Sequence, residues 1–157
     1  MPRLDYRKAS PESLAAFGRL EAHVRHSGLE TALLQLVRTR ASQINGCAYC
    51  LDMHTKEARA AGETEQRIYA LSAWRETPFF SERERAALAL TEAVTRIADA
   101  QVGDDVYAEA ARHFDDKELV DLMLAIIAIN GWNRMNVAFR LPAGNYHPGM
   151  FKRAAAG

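Results

Sequence analysis

"QLVRTRASQINGCAYCLDMHTKEARAAG", residues 35–62, is the stretch whose reading decides the fold. Helix formers fill both halves, and Asn45-Gly46 divides them. Upstream, the pattern predicts a helix from about Glu30 to Ile44. Asn45-Gly46 then supplies the left-handed residue on which helices commonly end. Downstream, a second helix starts around Cys47 and stops before Gly62. The segment therefore reads as helix, tight break, helix, with both cysteines of the chain in the first turn of the second helix.

Outward from this pair the chain stays helical. Ser10 caps and Pro11 opens a helix that ends near Gly28. Another spans about Thr64 to Trp74, where "ETPFF" breaks it. Ser81 and Glu84 have capping-box spacing and start a fifth helix, with apolar Ala87, Leu88, Leu90, Val94 and Ile97. A sixth follows Asp104 and ends near Phe114. Asp115 and Glu118 cap a seventh, which runs to about Phe139 before Pro142. It is apolar nearly all round from Leu119 to Ile129, as a central or interface helix is. No stretch alternates as a strand does. The expectation is an all-α fold of about seven helices in a single domain over residues 1–157, with residues 145–157 as a loop-like tail.

Composition narrows the function. At 157 residues the chain fits one domain with a core that needs no disulfide for stability. Twenty basic residues balance twenty acidic ones. That balance makes no electrostatic case for a nucleic-acid or membrane partner, and does nothing to keep copies apart. The opening "MPRLDYRKASPES" lacks the apolar segment of a signal peptide. The longest apolar run is interrupted by Asp121 and is too short to span a bilayer. The expected location is the cytoplasm, where thiols stay reduced unless they cycle.

In that compartment a C-x-x-C pair is more often catalytic or metal-binding than structural. Cys47 and Cys50 are three apart, and His54 is four beyond Cys50, so all three share one helix face. Unpaired amides and the positive dipole end favour a thiolate there, and an adjacent imidazole can accept its proton. The thiolate can attack the O–O bond of a hydroperoxide and become a sulfenic acid. The second cysteine then condenses with it to a disulfide, which an external thiol reduces. Cys50 is the better attacker because His54 sits one turn away; Cys47 is left as the resolving residue and the contact for the reductant. Two other readings stay open: buried inert cysteines, and a zinc site with Cys47, Cys50 and His54 as three ligands and one open position. A thioredoxin-like site needs a strand before the motif, and the preceding segment is helical.

The stretch "RASQINGCAYCLDMHTKEARAAGETEQRIYALSAWRETPFFSERERAALALTEAVT", with "LAIIAINGWNRMNVAFRLPAG" later, resembles the alkylhydroperoxidase D (AhpD)-like group of the carboxymuconolactone decarboxylase superfamily. The resemblance runs from about residue 35 to 144. C-x-x-C-x-x-x-H in this context is specific, since the decarboxylase branch lacks the cysteine pair. The resemblance implies an all-helical AhpD-like fold assembled as a trimer or hexamer, and a thiol-dependent alkylhydroperoxide reductase that serves antioxidant defence. It implies no cofactor beyond a redox-active Cys47–Cys50 disulfide and no metal, and a lipoyl or thioredoxin-like protein as reductant. By its pattern Cys50 is peroxidatic, Cys47 resolving, and His54 the histidine of the proton relay.

This chain departs from the pattern twice. The relay glutamate, twelve residues before the first cysteine, is Gln35 here, which can hydrogen-bond but cannot take a proton. The histidine just before the second cysteine is Tyr49. General-base help is worth about 10²–10⁴-fold, so slow turnover is one expectation. A redox-sensing or assembly protein with little turnover is the alternative from another class. Asn130, Trp132, Asn133, Arg134 and Asn136 fall late in the last helix, with Asn133 and Arg134 as candidates to support the site. A buried amide network is the favoured role for the group. Trp74, Phe79 and Phe80 read as core or interface. His23, His26, His113 and His147 read as surface or packing residues.

Overall fold

The computed structural model describes residues 1–150. Its described residues contain eight α-helices and a 3-10 turn: α1 (Tyr6–Ala9), α2 (Pro11–Arg25), α3 (Thr31–Asn45), α4 (Ala48–Ala60), α5 (Glu65–Ala70), the turn (Leu71–Glu76), α6 (Glu82–Thr95), α7 (Asp104–His113) and α8 (Asp116–Phe139). The all-α expectation holds. The tail beyond residue 150 lies outside the described residues.

Local chemistry sets most boundaries. Gly46 ends α3 at φ 64°, in the left-handed region a side chain resists. Both capping boxes form: Ser81 with Glu84 on α6, Asp115 with Glu118 on α8. Three expectations need correction. The single turn α1 was missed, since four residues carry no periodicity; the Asp5 carboxylate caps it by accepting from the Arg7 amide at 3.2 Å. The helix expected over Thr64–Trp74 is instead α5 followed by a 3-10 turn with a non-helical Ala73. The tighter winding eclipses residues three apart, so Leu71 and Trp74 bury together. Ile97 lies past the end of α6 and is 59% exposed, not on its core face.

α3 is the central element and packs on α4, α6 and α8. Its Leu33, Leu34 and Val37 enter the main core with Val24, Leu90, Leu122 and Ile126. Leu36 faces a second cluster of Leu71, Trp74, Phe80 and Leu88. Ala41 meets a third, formed with Cys47, Tyr49, Cys50 and Ile129. Phe17 of α2 lies so close to Gly131 of α8 that a Cβ there would sit 2.5 Å from the Phe17 ring edge. α8 buries Leu119, Leu122, Ala125, Ile126 and Ile129, while Val120, Ile127 and Val137 stay exposed within the chain. No described helix is long and apolar enough to cross a membrane.

Candidate active site

Cys47 is the N-cap of α4, extended at φ −85°, ψ 94°. Its sulfur accepts from the Cys50 amide at 3.3 Å, as a serine or aspartate cap would. The two residues are joined as a disulfide, with Cα atoms 5.3 Å apart. Cys50 is 0% and Cys47 1% exposed. Burial therefore does not single out Cys47 as the contact for a reductant, as its place at the helix start had led us to expect.

His54 is buried one turn beyond Cys50. Its Nδ1 lies 3.0 Å from Oε1 of Gln35, reaching across from α3. An amide oxygen only accepts, so Nδ1 carries the proton and Nε2 keeps its lone pair. Burial, reinforced by the Arg38 charge, pushes His54 down to about 3. Arg38 is itself buried and paired with Glu21 at 2.5 Å. Gln35 also lines a cavity of about 160 Å³ with Ala32, Ala58, Ala61, Gly62 and Glu63.

Tyr49 points the other way: its hydroxyl accepts from Nη2 of Arg7 at 3.2 Å. Asn133 and Arg134 belong to an amide network. The Asn45 amide donates to Oδ1 of Asn130 at 2.9 Å and of Asn133 at 2.8 Å. Asn133 donates to Ser42 Oγ at 3.0 Å, and Arg134 to Asn130 Oδ1 at 2.9 Å. Asn45 is the last residue of α3, so the network holds the turn that presents Cys47. Asn136 differs from its neighbours. Its Nδ2 lies 3.2 Å from the Cys50 sulfur, and its Oδ1 accepts from the Tyr6 hydroxyl at 2.5 Å.

Sequence reasoning missed two contributors. Tyr6 sits on the unforeseen α1. Glu57 of α4 accepts from the Tyr146 hydroxyl and from the Gly149 amide, the latter at 3.3 Å. Lys56 also donates to the Tyr146 carbonyl at 2.9 Å. These contacts lay part of the expected tail along α4; only long-range folding makes them, and no local pattern announces them. His23 pairs with Asp121 at 3.2 Å. Among the described residues no group of three or more His, Cys, Asp or Glu is placed to hold a metal ion.

The all-helical frame is also what known proteins share with this chain. The carboxymuconolactone decarboxylase family model matches residues 11–93. The chain belongs to that family, and within it to the AhpD-like kind. It is 43% identical over 136 residues to the uncharacterized protein YdfG of Bacillus subtilis (strain 168), covering 87% of this chain and 92% of that one. A solved structure from Agrobacterium tumefaciens is 46% identical with a TM-score of 0.90, over 93% of this chain and 100% of that one. That protein is of unknown function and provisionally placed as the antioxidant defence protein AhpD. The debrominase Bmp8 shares the fold at 23% identity and a TM-score of 0.79, over 88% of this chain and 74% of its own.

Proposed function

We propose that the chain is a thiol-dependent hydroperoxide reductase that cycles between a Cys47/Cys50 dithiol and the disulfide. The observation that carries the reading is the disulfide itself, set at the start of α4 with His54 one turn on. In the reduced form, Nε2 of His54 takes the Cys50 thiol proton. The thiolate attacks the terminal oxygen of ROOH; the O–O bond breaks, ROH leaves with that proton, and Cys50 becomes a sulfenic acid. The Cys47 sulfur displaces hydroxide from it, forming the disulfide and water. An external dithiol, carried on a lipoyl or thioredoxin-like protein, returns two electrons and two protons. No metal or other cofactor enters this cycle.

Gln35 shapes the rate. A carboxylate at that position would stabilise the imidazolium formed when His54 takes the proton. An amide fixes the tautomer but adds no charge, so His54 holds the proton weakly. A family acid at this place would make a stronger relay than this chain has. The burial of both sulfurs and the neutral partner also favour a second reading, a redox sensor that oxidises once and turns over little.

Steady-state peroxide consumption with a dithiol reductant tests the proposal, wild type against Cys50→Ser. Loss of turnover in the variant is expected; equal rates would sink the peroxidatic role of Cys50. Slow loss of two thiols without turnover in the wild type supports the sensor. Thiols protected until a chelator is added would point to zinc. For the assembly, a trimer or hexamer in the cytoplasm is the proposed state, and light scattering tests the subunit count.

A further inference from the structure

We propose that Asn136 is the hydrogen-bond donor that stabilises the Cys50 thiolate, and that Tyr6 is the positioning residue that holds its amide in the donating orientation. The inference rests on the dithiol reading of Cys47 and Cys50 above, but not on peroxide as the substrate. Neither residue falls within residues 11–93, the part the family model matches.

The geometry forms a chain of three groups. The Tyr6 hydroxyl is 2.5 Å from Asn136 Oδ1, and Asn136 Nδ2 is 3.2 Å from Cys50 Sγ. All three residues are at most 5% exposed, so water does not compete for these contacts. The directions follow from the sulfur outward. A thiolate only accepts, so the amide must turn its NH₂ to Cys50. That leaves Oδ1 facing Tyr6, whose hydroxyl must then donate. Burial raises the Tyr6 hydroxyl above its usual range, which keeps that proton in place. Packing fixes the ring: it lies 5.5 Å from Phe139, and the Arg3 amide, three residues earlier, donates to the Phe139 carbonyl at 3.0 Å.

The effect favours the reduced state. A disulfide sulfur is a weak acceptor, whereas a hydrogen bond to an ionised acceptor is roughly twice as strong as a neutral one. The same amide contact is therefore worth more once Cys50 is a thiolate. His54 has only a neutral partner in Gln35. Asn136 thus supplies thiolate stabilisation that the Gln35 side of the site does not. The other charged or titratable groups on the elements meeting here include Arg7 on α1, Arg38 on α3 and Tyr49 on α4, and the variants below leave them in place.

Two readouts that need no peroxide test the inference on the full chain. The first is thiolate absorbance of Cys50 against pH in a Cys47→Ser background, where serine keeps the helix cap. The second is the dithiol–disulfide equilibrium of the intact pair against glutathione. Asn136→Ala is expected to raise the Cys50 pKa by about one unit, a roughly tenfold loss of thiolate below it. It is also expected to move the equilibrium up to about tenfold toward disulfide, about 30 mV. Asn136→Asp keeps the Tyr6 contact and the volume but replaces the donor with a carboxylate, so its shift should be the largest. Tyr6→Phe keeps the ring and should shift both readouts in the same direction by roughly two- to threefold, since part of the orientation is lost. If Asn136→Ala does not fold, the Asp and Phe variants decide. Folded variants with an unmoved Cys50 titration and equilibrium would overturn the inference. A wild type without peroxide turnover, with these shifts present, would overturn the peroxidase reading and leave this one standing.

Discussion

α3 sends polar side chains into two buried clusters, and the two are built in opposite ways. Toward α6, Arg40 meets Glu92 at 2.7 Å, and the same carboxylate accepts from the Trp74 indole at 2.9 Å and from Arg75 at 2.5 Å. Burial alone would raise Glu92, but donors from Arg75, Trp74 and Arg40 outweigh it and hold the carboxyl low. Toward α4, Gln35 meets His54 with no opposite charge between them, and burial with the Arg38 charge drives the imidazole down to about 3. The first cluster compensates its charge and fastens α6 and the 3-10 turn to α3. The second leaves a group out of balance with its surroundings, as functional sites tend to do.

The difference can be broken at its strongest point first. Glu92→Ala removes the carboxylate shared by the largely buried Arg40 and the Trp74 indole, leaving Arg40 only Gln43, and removing one partner of such a pair costs about 3–5 kcal/mol. Urea unfolding should show that loss, while the thiol chemistry of any protein that still folds stays unchanged. A loss under about 1 kcal/mol would mean the cluster is solvated like a surface pair.

The pH dependence of stability separates the clusters next. His54 titrates near 6.5 when unfolded and near 3 when folded, so between these values the unfolded chain binds the extra proton. The His54 contribution is present above pH 6.5 and is lost as the pH falls toward 3. Glu92, held below the ordinary glutamate value of 4.5, gives stability that is lost only as the pH falls below that value. The urea midpoint should thus drop between pH 6.5 and 4.5 because of His54. Gln35→Glu places a carboxylate on the imidazole, raises its pKa and should flatten that drop. The same variant should speed peroxide turnover. An unchanged thiol pKa and rate would deny position 35 any part in the relay.

Gln35→Ala sharpens the contrast at smaller scale. It strands the His54 Nδ1 donor, at a cost of about 1–3 kcal/mol in urea unfolding. Because the tautomer is then no longer fixed, thiol reactivity should fall more than stability does. The smallest effect is expected at Arg112→Ala. Its pair with Glu109 is exposed, with the arginine side chain 74% accessible, so unfolding should move by less than about 0.5 kcal/mol.

Much of the frame was legible because its signals are local. Gly46, the Ser81–Glu84 box and the Asp115–Glu118 box each act within one turn of chain, and each appears where its spacing places it. The register of Cys47, Cys50 and His54 on α4 was legible for the same reason. α1 and the 3-10 turn were not, since one is a single turn and the other is tightened by burial of Leu71 and Trp74 rather than by any residue that breaks a helix. The polar group late in α8 was divided by tertiary contacts. Asn130, Asn133 and Arg134 joined the amide network, while Asn136, three residues beyond Asn133, reached the Cys50 sulfur. Helical spacing places all of them within reach of the protein interior but does not say which partner each one meets.

By itself the sequence determined most of the helices, the Gly46 stop that makes Cys47 the start of α4, and the spacing that sets His54 one turn beyond Cys50. Only the tertiary structure decided what surrounds those sulfurs: Gln35 from α3 on the histidine, Asn136 from α8 on Cys50, and Tyr6 from α1 behind that amide. The reason is range. Caps and turns are formed by neighbours in the chain, so composition and spacing express them. The Tyr6–Asn136 and Asn136–Cys50 contacts join residues 130 and 86 apart, and exist only once α1, α4 and α8 have packed.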